Sequence, residues 1–183
     1  MNLSLLSHYF GVAWSAARLS PDKSTQNGVV LVNEKYNDRH KTGCNHFPLG
    51  TVVDDRLLDD RDAKLARIVH AECDAIVQAA KCGWVCDGAT MYAIWAACPK
   101  CASHIVDAGI TRLVRLKWHS DNCPERWRRD VEAGDQILRD GKVDVLEYDG
   151  LVDGFQPIRF NGQLVSPAQM ESEVGSVKIT SCW

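Results

Sequence analysis

The chain has 183 residues, among them 24 acidic and 21 basic side chains. This near balance of charge provides no basic surface for DNA or RNA, so binding to long nucleic acid is not expected. One domain is the default at this length, with enough residues to bury a hydrophobic core. No run of 18 apolar residues predicts a membrane helix, and the first residues lack the basic start of a signal peptide.

The chain contains eight cysteines, which in a short secreted protein would suggest a disulfide framework. Because no export signal is recognised, we expect reduced thiols and a cytoplasmic location. The cysteines outside the metal motif described below are expected as small buried apolar residues. A second zinc site at Cys82 and Cys86, with His104 or His119, remains an alternative that no paired ligand motif completes.

Helical and strand patterns alternate in the first third of the chain. Apolar residues recur at helical spacing over residues 3–19, and a Ser-Pro pair ends that helix. The apolar run Gly28–Val32 predicts a buried strand, and residues 40–44 predict a strand that returns beside it. The polar connection that follows, about residues 46–62, is too long for a simple turn, so we expect it to have a function.

The next part of the chain continues the alternation. Helices are expected over residues 63–81, 99–108 and 125–139, and strands over residues 89–93, 112–117 and 142–148. Strands that alternate with helices predict a sheet covered by helices on both faces. Residues 1–148 are therefore assigned to one α/β domain.

Residues 149–183 differ in character and are assigned to a C-terminal extension. The pair Asn161-Gly162, which lies between two short strand-like runs, predicts a β-hairpin over residues 158–165. The segment beyond Pro167 is polar. Packing or an oligomer edge is the favoured role of the extension, and a lid over an active site is the alternative.

Three residues have the chemistry of zinc ligands. Cys98 and Cys101 lie at a predicted helix start, and His70 lies within the helix predicted over residues 63–81. Three protein ligands leave the fourth tetrahedral position for water, which is typical of a catalytic zinc site. Glu72 is two residues from His70, close enough to move protons there without binding the metal. Taken alone, the Cys-x-x-Cys pair would also suit a redox centre or half of a zinc knuckle, and the histidine could belong to the core. The combination favours one catalytic Zn²⁺ ion per chain.

The pattern His-x-Glu followed by Cys-x-x-Cys is the signature of zinc-dependent nucleobase deaminases. Proline usually precedes the first cysteine, but here Ala97 has that place and Pro99 follows Cys98. If Cys98 is the N-cap, Pro99 occupies the first helical position, where its missing N–H costs nothing. We therefore expect the zinc geometry to be retained.

Four segments resemble deoxycytidylate deaminases and occur in the order of that family. They are residues 24–32, residues 43–50, the His-Ala-Glu helix and residues 98–101. The resemblance spans about residues 10–148 and implies the three-layer α/β/α cytidine-deaminase-like fold with a five-stranded mixed sheet. It also implies zinc-dependent hydrolysis of the nucleotide dCMP to dUMP and ammonia, and we expect a homo-oligomer.

The resemblance further implies roles for individual residues. Water on the zinc ion attacks C4 of cytosine while Glu72 moves protons to N3 and to the leaving amine. Asn45 is expected to hold the sugar and base, with His46 beside it. The base is expected to stack on Phe47 or Trp95, unless these side chains pack in the core. Candidate partners of the phosphate are Ser24, Arg112, Arg115, Lys117 and His119.

The chain departs from the family pattern at two places. Where the family commonly shows Gly-Tyr-Asn-Gly, residues 43–46 are Gly-Cys-Asn-His, and the altered neighbours are where control by dCTP is implied. Asp74 stands where an asparagine commonly follows the His-Ala-Glu motif. The residues leave open a deaminase for another cytosine or adenine nucleoside or nucleotide, including dCTP or a tRNA base, and an inactive zinc-binding protein.

Overall fold

The computed structural model describes residues 3–36, 40–154, 156–167 and 178–182. The helices are α1 (Leu3–Ala17), α2 (Asp55–Asp59), α3 (Arg61–Leu65), α4 (Ala71–Lys81), α5 (Pro99–Asp107), α6 (Lys117–Asp121) and α7 (Glu125–Asp140). The strands are β1 (Gly28–Val32), β2 (His40–Cys44), β3 (Thr90–Ala93), β4 (Arg112–Leu116), β5 (Asp144–Asp149), β6 (Ile158–Phe160), β7 (Gln163–Val165) and β8 (Lys178–Ser181). None of these helices is long and apolar enough to cross a membrane.

Within the described ranges, six strands form one mixed sheet in the order β2-β1-β3-β4-β5-β8. β1 is antiparallel to both β2 and β3, whereas β3, β4 and β5 run parallel. The predicted mixed sheet is confirmed, but it has six strands instead of five. The additional strand, β8, pairs antiparallel with β5 and covers an edge that β5 would otherwise expose. All four residues of β8 are exposed, so no hydrophobic pattern marked it in the sequence.

Helices cover both faces of this sheet, as the alternation of elements predicted. All five residues of β1 are buried, because successive side chains point to opposite faces and both faces are packed. Val30 belongs to a core cluster with Phe10 and Trp14 of α1. Leu31 belongs to the cluster on the other face, with Ala75 of α4. The three-layer α/β/α arrangement is therefore confirmed.

Two glycines allow helices to lie directly against the strands. A Cβ atom at Gly28 would overlap the carbonyl oxygen of Ala13 in α1, and one at Gly43 would overlap the carbonyl oxygen of Ala71 in α4. Any side chain there would push a helix away from the sheet. Gly43 thus sets the distance between β2 and the start of α4, which carries two of the predicted site residues.

The predicted continuous helix over residues 63–81 is wrong, because the chain leaves the helical path between α3 and α4. Val69 donates a backbone hydrogen bond to His46 at 2.8 Å and accepts one from it at 3.1 Å. Beyond this bridge His70 has an extended backbone, so α4 begins at Ala71 with His70 as its N-cap residue. A contact with a distant part of the chain therefore places His70 at a helix start.

The predicted hairpin is confirmed as β6–β7, a two-stranded sheet separate from the central one. Its turn residues Asn161 and Gly162 have φ values of 51° and 82°, which suits an Asn-Gly type I′ turn. Because β8 from the same extension joins the central sheet, the extension contributes to two different parts of the fold. The domain boundary at residue 148 stays a prediction.

Candidate active site

The three predicted zinc ligands converge at the starts of two helices. His70 is the N-cap residue of α4, Cys98 is the N-cap residue of α5, and Cys101 lies in the first turn of α5. Pro99 occupies the first helical position of α5, as predicted. Neither His70 nor Cys98 uses its side chain to cap its helix, so both side chains are available to the cluster. The ligand atoms of the three residues lie within 4.8 Å of one another.

The spacing of these side chains fits a tetrahedral zinc ion. Nδ1 of His70 lies 3.4 Å from Sγ of Cys98 and 3.4 Å from Sγ of Cys101. Zn–S bonds of about 2.3 Å and Zn–N bonds of about 2.0 Å at tetrahedral angles would separate nitrogen and sulfur by about 3.5 Å. One imidazole and two thiolates are also donors that zinc prefers. In the part of the chain that the structure describes, no other group of three such ligands comes together. The alternative second zinc site at Cys82 and Cys86 is therefore not formed there.

Hydrogen bonds within the cluster favour the thiolate form of Cys98 and the thiol form of Cys101. A hydrogen bond with Cys101, assisted by one with His70, lowers the pKa of the Cys98 thiol to about 4. The contact with Cys98 raises the pKa of the His70 imidazole to about 9. Hydrogen bonds with Cys73 and Cys98 raise the pKa of Cys101, so among the protein groups alone this thiol keeps its proton. A divalent cation would favour the thiolate form of both ligand sulfurs.

Glu72, in the first turn of α4, is the buried acid of the site. Only 1% of its surface is exposed, and its Oε2 atom has no hydrogen-bond partner among the described residues. Burial raises the pKa of this carboxyl group. A buried polar oxygen without a partner is costly, so it is expected where a ligand supplies the missing contact.

A cavity of about 440 Å³ lies beside Glu72, within the size range of small-molecule sites. The sequence-predicted residues that line it are Ser24, Asn45, His70, Glu72, Trp95 and Cys98. The long connection that we expected to have a function also contributes to the lining, through Leu58 and Asp59 of α2 and through Arg61. The reactive side chains and this connection therefore meet at one cavity.

Two further predicted site residues, His46 and Phe47, are not among those that line the cavity. Phe47 is buried, and its carbonyl oxygen lies 2.7 Å from Nδ1 of His46. Nε2 of His46 lies 3.2 Å from Oδ1 of Asp74. The two departures from the family pattern, at His46 and at Asp74, are thus in contact with each other.

Asn45 lines the cavity and also braces the segment beside it. Its Oδ1 atom accepts a hydrogen bond from the backbone N–H of Asn27 at 2.7 Å, and its Nδ2 atom donates one to the carbonyl oxygen of Thr25 at 2.8 Å. A side-chain amide has two donor hydrogens and two acceptor lone pairs, so one of each remains for a ligand.

The remaining candidates for the phosphate lie away from the cavity. Arg112, Arg115 and Lys117 each pair with a carboxylate, at distances of 2.8, 2.7 and 2.6 Å. His119 is buried among aromatic rings, where burial lowers its pKa to about 3. These four residues are therefore not assigned to the site.

Sequence reasoning missed four cations that do line the cavity, namely Lys23, Arg61, Lys64 and Arg126. Lys64 is only 6% exposed, and its Nζ atom lies 2.8 Å from Oδ1 of Asp22. The guanidinium groups of Arg61 and Arg126 lie 5.6 Å and 5.9 Å from the ring centre of Trp127. No local pattern marks these residues, because contacts between distant segments bring them together.

The chain is similar in sequence to known proteins. The family model for the cytidine and deoxycytidylate deaminase zinc-binding region matches residues 4–117. An uncharacterized deaminase in the luxG 3′ region of Aliivibrio fischeri is 30% identical over 140 residues, which cover 75% of this chain and 88% of that protein. The deoxycytidylate deaminase of Enterobacteria phage T2 is 39% identical over 78 residues, 43% of this chain and 37% of that protein.

A solved structure shares the fold. It is the dCMP deaminase of cyanophage S-TIM5 in complex with dCMP and dUMP, which superposes with a TM-score of 0.61 at 21% identity. The match covers 80% of this chain and 98% of the cyanophage chain. The arrangement of helices and strands described above is therefore that of a known deaminase.

Proposed function

Because this chain belongs to the cytidine and deoxycytidylate deaminase family, we propose that it hydrolyses dCMP to dUMP and ammonia. The observation that carries the proposal is the unpartnered carboxyl oxygen of Glu72. Glu72 lines one cavity together with His70 and Cys98, which form a group of possible metal ligands with Cys101. The deoxycytidylate deaminase of phage T2 supports the choice of substrate, although this chain spans 37% of its length.

His70, Cys98 and Cys101 would hold one zinc ion, which when bound lowers the pKa of a water molecule to about 7. Glu72 is not required as a ligand, so its Oε2 atom can accept the proton of the attacking water. It then delivers this proton to N3 of the cytosine ring. Glu72 next takes the remaining proton from the hydroxyl group on C4 and passes it to the amine, which leaves as ammonia while the C4 carbonyl forms. Since Glu72 is almost fully buried, bulk water does not compete for these protons.

Trp95 and Asn45 would form the walls that hold the base and the sugar. The Trp95 ring packs edge-to-face on Phe160, at 5.2 Å between ring centres, and on Trp127, at 6.4 Å. Aromatic contacts on two sides fix the orientation of this wall. Asn45 offers its remaining amide hydrogen and lone pair to a hydroxyl group or a base edge. Contacts of the substrate with His46 and Phe47 stay predictions.

The phosphate is assigned to three of the four cations that line the cavity, because the fourth, Lys23, already pairs with both Asp55 and Asp59. A 5′-monophosphate carries close to two negative charges at neutral pH. Lys64 donates to Asp22 with one of its three ammonium hydrogens, which leaves two for phosphate oxygens. The guanidinium groups of Arg61 and Arg126 can each offer two parallel hydrogen bonds to a phosphate. Ser24, which also lines the cavity, adds a hydroxyl donor.

Ammonia release from a substrate panel tests the choice of substrate. The panel consists of dCMP, deoxycytidine, dCTP, CMP and AMP, each assayed with the zinc-loaded protein. We expect the highest kcat/KM with dCMP and a much lower value with deoxycytidine, because the nucleoside lacks the group that the cations would bind. A higher kcat/KM with AMP or with deoxycytidine would refute the assignment.

Glu72→Gln tests the mechanism on the same preparation. The amide retains the shape of the carboxyl group but cannot carry protons, so kcat should fall by about 10⁴-fold, since one group serves several transfers. Zinc content and melting temperature should be retained. Glu132→Gln, at an exposed position of α7, is the matched control and should be fully active. A folded, zinc-loaded Glu72→Gln protein within tenfold of the wild-type rate would refute the proposed role.

A further inference from the structure

The hairpin β6–β7 lies outside the central sheet, yet its turn residue Gly162 lines the active-site cavity. Ile158, Phe160 and Val165 anchor it in the hydrophobic core, each less than 7% exposed. The Phe160 ring packs on Trp95, the aromatic wall of the same cavity. The hairpin also lies beyond residue 117, where the match to the family model ends.

Four hydrogen bonds join this hairpin to residues 24–26. The N–H of Gly162 donates to the carbonyl oxygen of Ser24 at 2.7 Å, and the N–H of Gln26 donates to the carbonyl oxygen of Arg159 at 2.8 Å. The N–H of Arg159 donates to Oε1 of Gln26 at 2.9 Å. The N–H of Asn161 donates to Oγ1 of Thr25 at 3.2 Å.

Side chains of the deaminase domain hold the same segment from other directions. Oδ1 of Asp22 accepts the N–H of Ser24 at 2.7 Å and that of Thr25 at 3.3 Å. Asn45 binds the carbonyl oxygen of Thr25 and the N–H of Asn27. Residues 24–27 belong to no helix or strand, so these side chains and the hairpin together provide their backbone partners.

We propose that the hairpin β6–β7 is a positioning element of the nucleotide site, which holds residues 24–27 in the conformation that binds substrate. Three of these residues, Ser24, Thr25 and Asn27, line the cavity. Thr25 is central, because its Oγ1 atom accepts a hydrogen bond from the N–H of Asn161 in the hairpin, which leaves its own hydroxyl hydrogen to donate to the nucleotide. The inference rests on the proposed function only for the identity of that ligand.

The hairpin also positions one of the cavity cations. Nη2 of Arg126 donates to Oδ1 of Asn161, at the turn. The same guanidinium group lies near the ring of Trp127, so it is held between the hairpin and α7. The turn thus contacts both the segment 24–26 and a cation assigned to the phosphate.

Hydrogen–deuterium exchange of the full-length protein without substrate tests the positioning directly. Gln26→Leu removes the acceptor for the N–H of Arg159 and also the hydrogen bond that Nε2 of Gln26 donates to the carbonyl oxygen of Ser20. It is therefore compared with Gln26→Glu, which keeps the acceptor and loses only that donor. We expect amides in residues 24–28 to exchange about tenfold faster in Gln26→Leu than in Gln26→Glu, as loss of one hydrogen bond allows. Peptides from α4 and β3 should be unchanged. Leu164→Ala, an exposed substitution in the same hairpin, is the control and should not change the exchange of residues 24–28. Equal exchange in Gln26→Leu and Gln26→Glu would overturn the inference.

Kinetics with dCMP separate positioning from a merely structural role. Thr25→Val lacks the hydroxyl group and should raise KM about tenfold, with kcat and zinc content nearly unchanged. Thr25→Ser keeps the hydroxyl group and should restore KM to within about threefold of the wild-type value. Equal KM values for the valine variant and the wild type would overturn the role of Thr25. If the wild type deaminates nothing in the panel, the proposed function fails, while the exchange experiment still decides the positioning role.

Discussion

Replacing His119 by phenylalanine should make the protein more resistant to acid unfolding. The imidazole ring is 1% exposed, and neither of its nitrogen atoms has a hydrogen-bond partner among the described residues. Its neighbours are the aromatic rings of Trp14, Trp118 and Phe160, with ring centres 6.2, 4.9 and 4.8 Å away. Nothing in this cluster compensates a positive charge, so burial lowers the pKa of His119 from 6.5 to about 3.

The sign and size of the effect follow from this shift. Because the pKa of His119 is lower in the folded protein, the unfolded chain binds the proton more tightly, and stability falls as the pH drops below about 6.5. From this residue alone the free energy of unfolding should fall by about 1.4 kcal/mol at pH 5.5 and by about 2.7 kcal/mol at pH 4.5, relative to pH 7.5. Both pH values lie above the folded-state pKa, so these losses depend mainly on the ordinary pKa of histidine.

Urea unfolding at pH 7.5, 5.5 and 4.5, with the zinc concentration held constant, measures the difference between wild type and variant. Other titrating groups contribute equally to both proteins, so the difference between them should grow by about 2.7 kcal/mol from pH 7.5 to pH 4.5. His119→Leu serves as a second variant, in case the larger phenylalanine ring strains the core. His8→Leu replaces an exposed histidine and should leave the pH dependence unchanged. A constant difference between wild type and both His119 variants would show that the imidazole is not buried without partners.

Three other predictions concern the metal, the phosphate and the contact between the two departures from the family pattern. Cys101→Ala should lose the zinc ion and all turnover, whereas Cys82→Ala, at an exposed cysteine, should keep both. Metal analysis and an activity assay measure the two effects. A Cys101→Ala protein with a full zinc content would contradict the ligand assignment. Lys64→Gln should raise KM for dCMP at least about tenfold but leave the kinetics with deoxycytidine nearly unchanged. An equal change in KM for both substrates would show that Lys64 does not bind the phosphate. His46→Ala should lower the melting temperature by a few degrees at unchanged zinc content, because the buried carboxylate of Asp74 loses a partner. An unchanged melting temperature would mean that this contact does not stabilise the protein.

The sequence predicted best those features that depend on the chemistry and backbone preferences of a few neighbouring residues. The metal cluster could be predicted because its ligands are few, are spaced by helix geometry and are limited to residue types that bind zinc. Pro99 predicted the start of α5 because proline is tolerated at the first helical position. Asn161 and Gly162 predicted the hairpin because their turn requires two positive φ values. In each case the information lies within a few neighbouring residues.

The remaining features depend on contacts between distant segments. The bridge between Val69 and His46 interrupts a helix that the local apolar pattern would have continued. β8 pairs with the edge strand β5, and its own residues, all exposed, show no hydrophobic pattern that would predict a strand. Lys64 could not be recognised as a cavity residue, since its partner Asp22 lies in another segment of the chain. The ion pairs of Arg112 and Arg115 also join distant segments and could not be predicted, whereas Lys117 pairs with Asp121 one helical turn away.

Different structural elements carry the groups proposed for catalysis and those proposed for nucleotide binding. The predicted zinc ligands and Glu72 lie at the first turns of α4 and α5, whereas the cations proposed for the phosphate come from α3 and α7. The Ser24–Asn27 segment is hydrogen-bonded to the hairpin. We therefore expect substitutions in the second group to change which nucleotide binds without disturbing the groups proposed to activate water. Zinc content and KM should respond to separate sets of substitutions, with Cys101 in the first set and Lys64 and Thr25 in the second. The same separation would allow one deamination chemistry to serve different nucleotides on this fold.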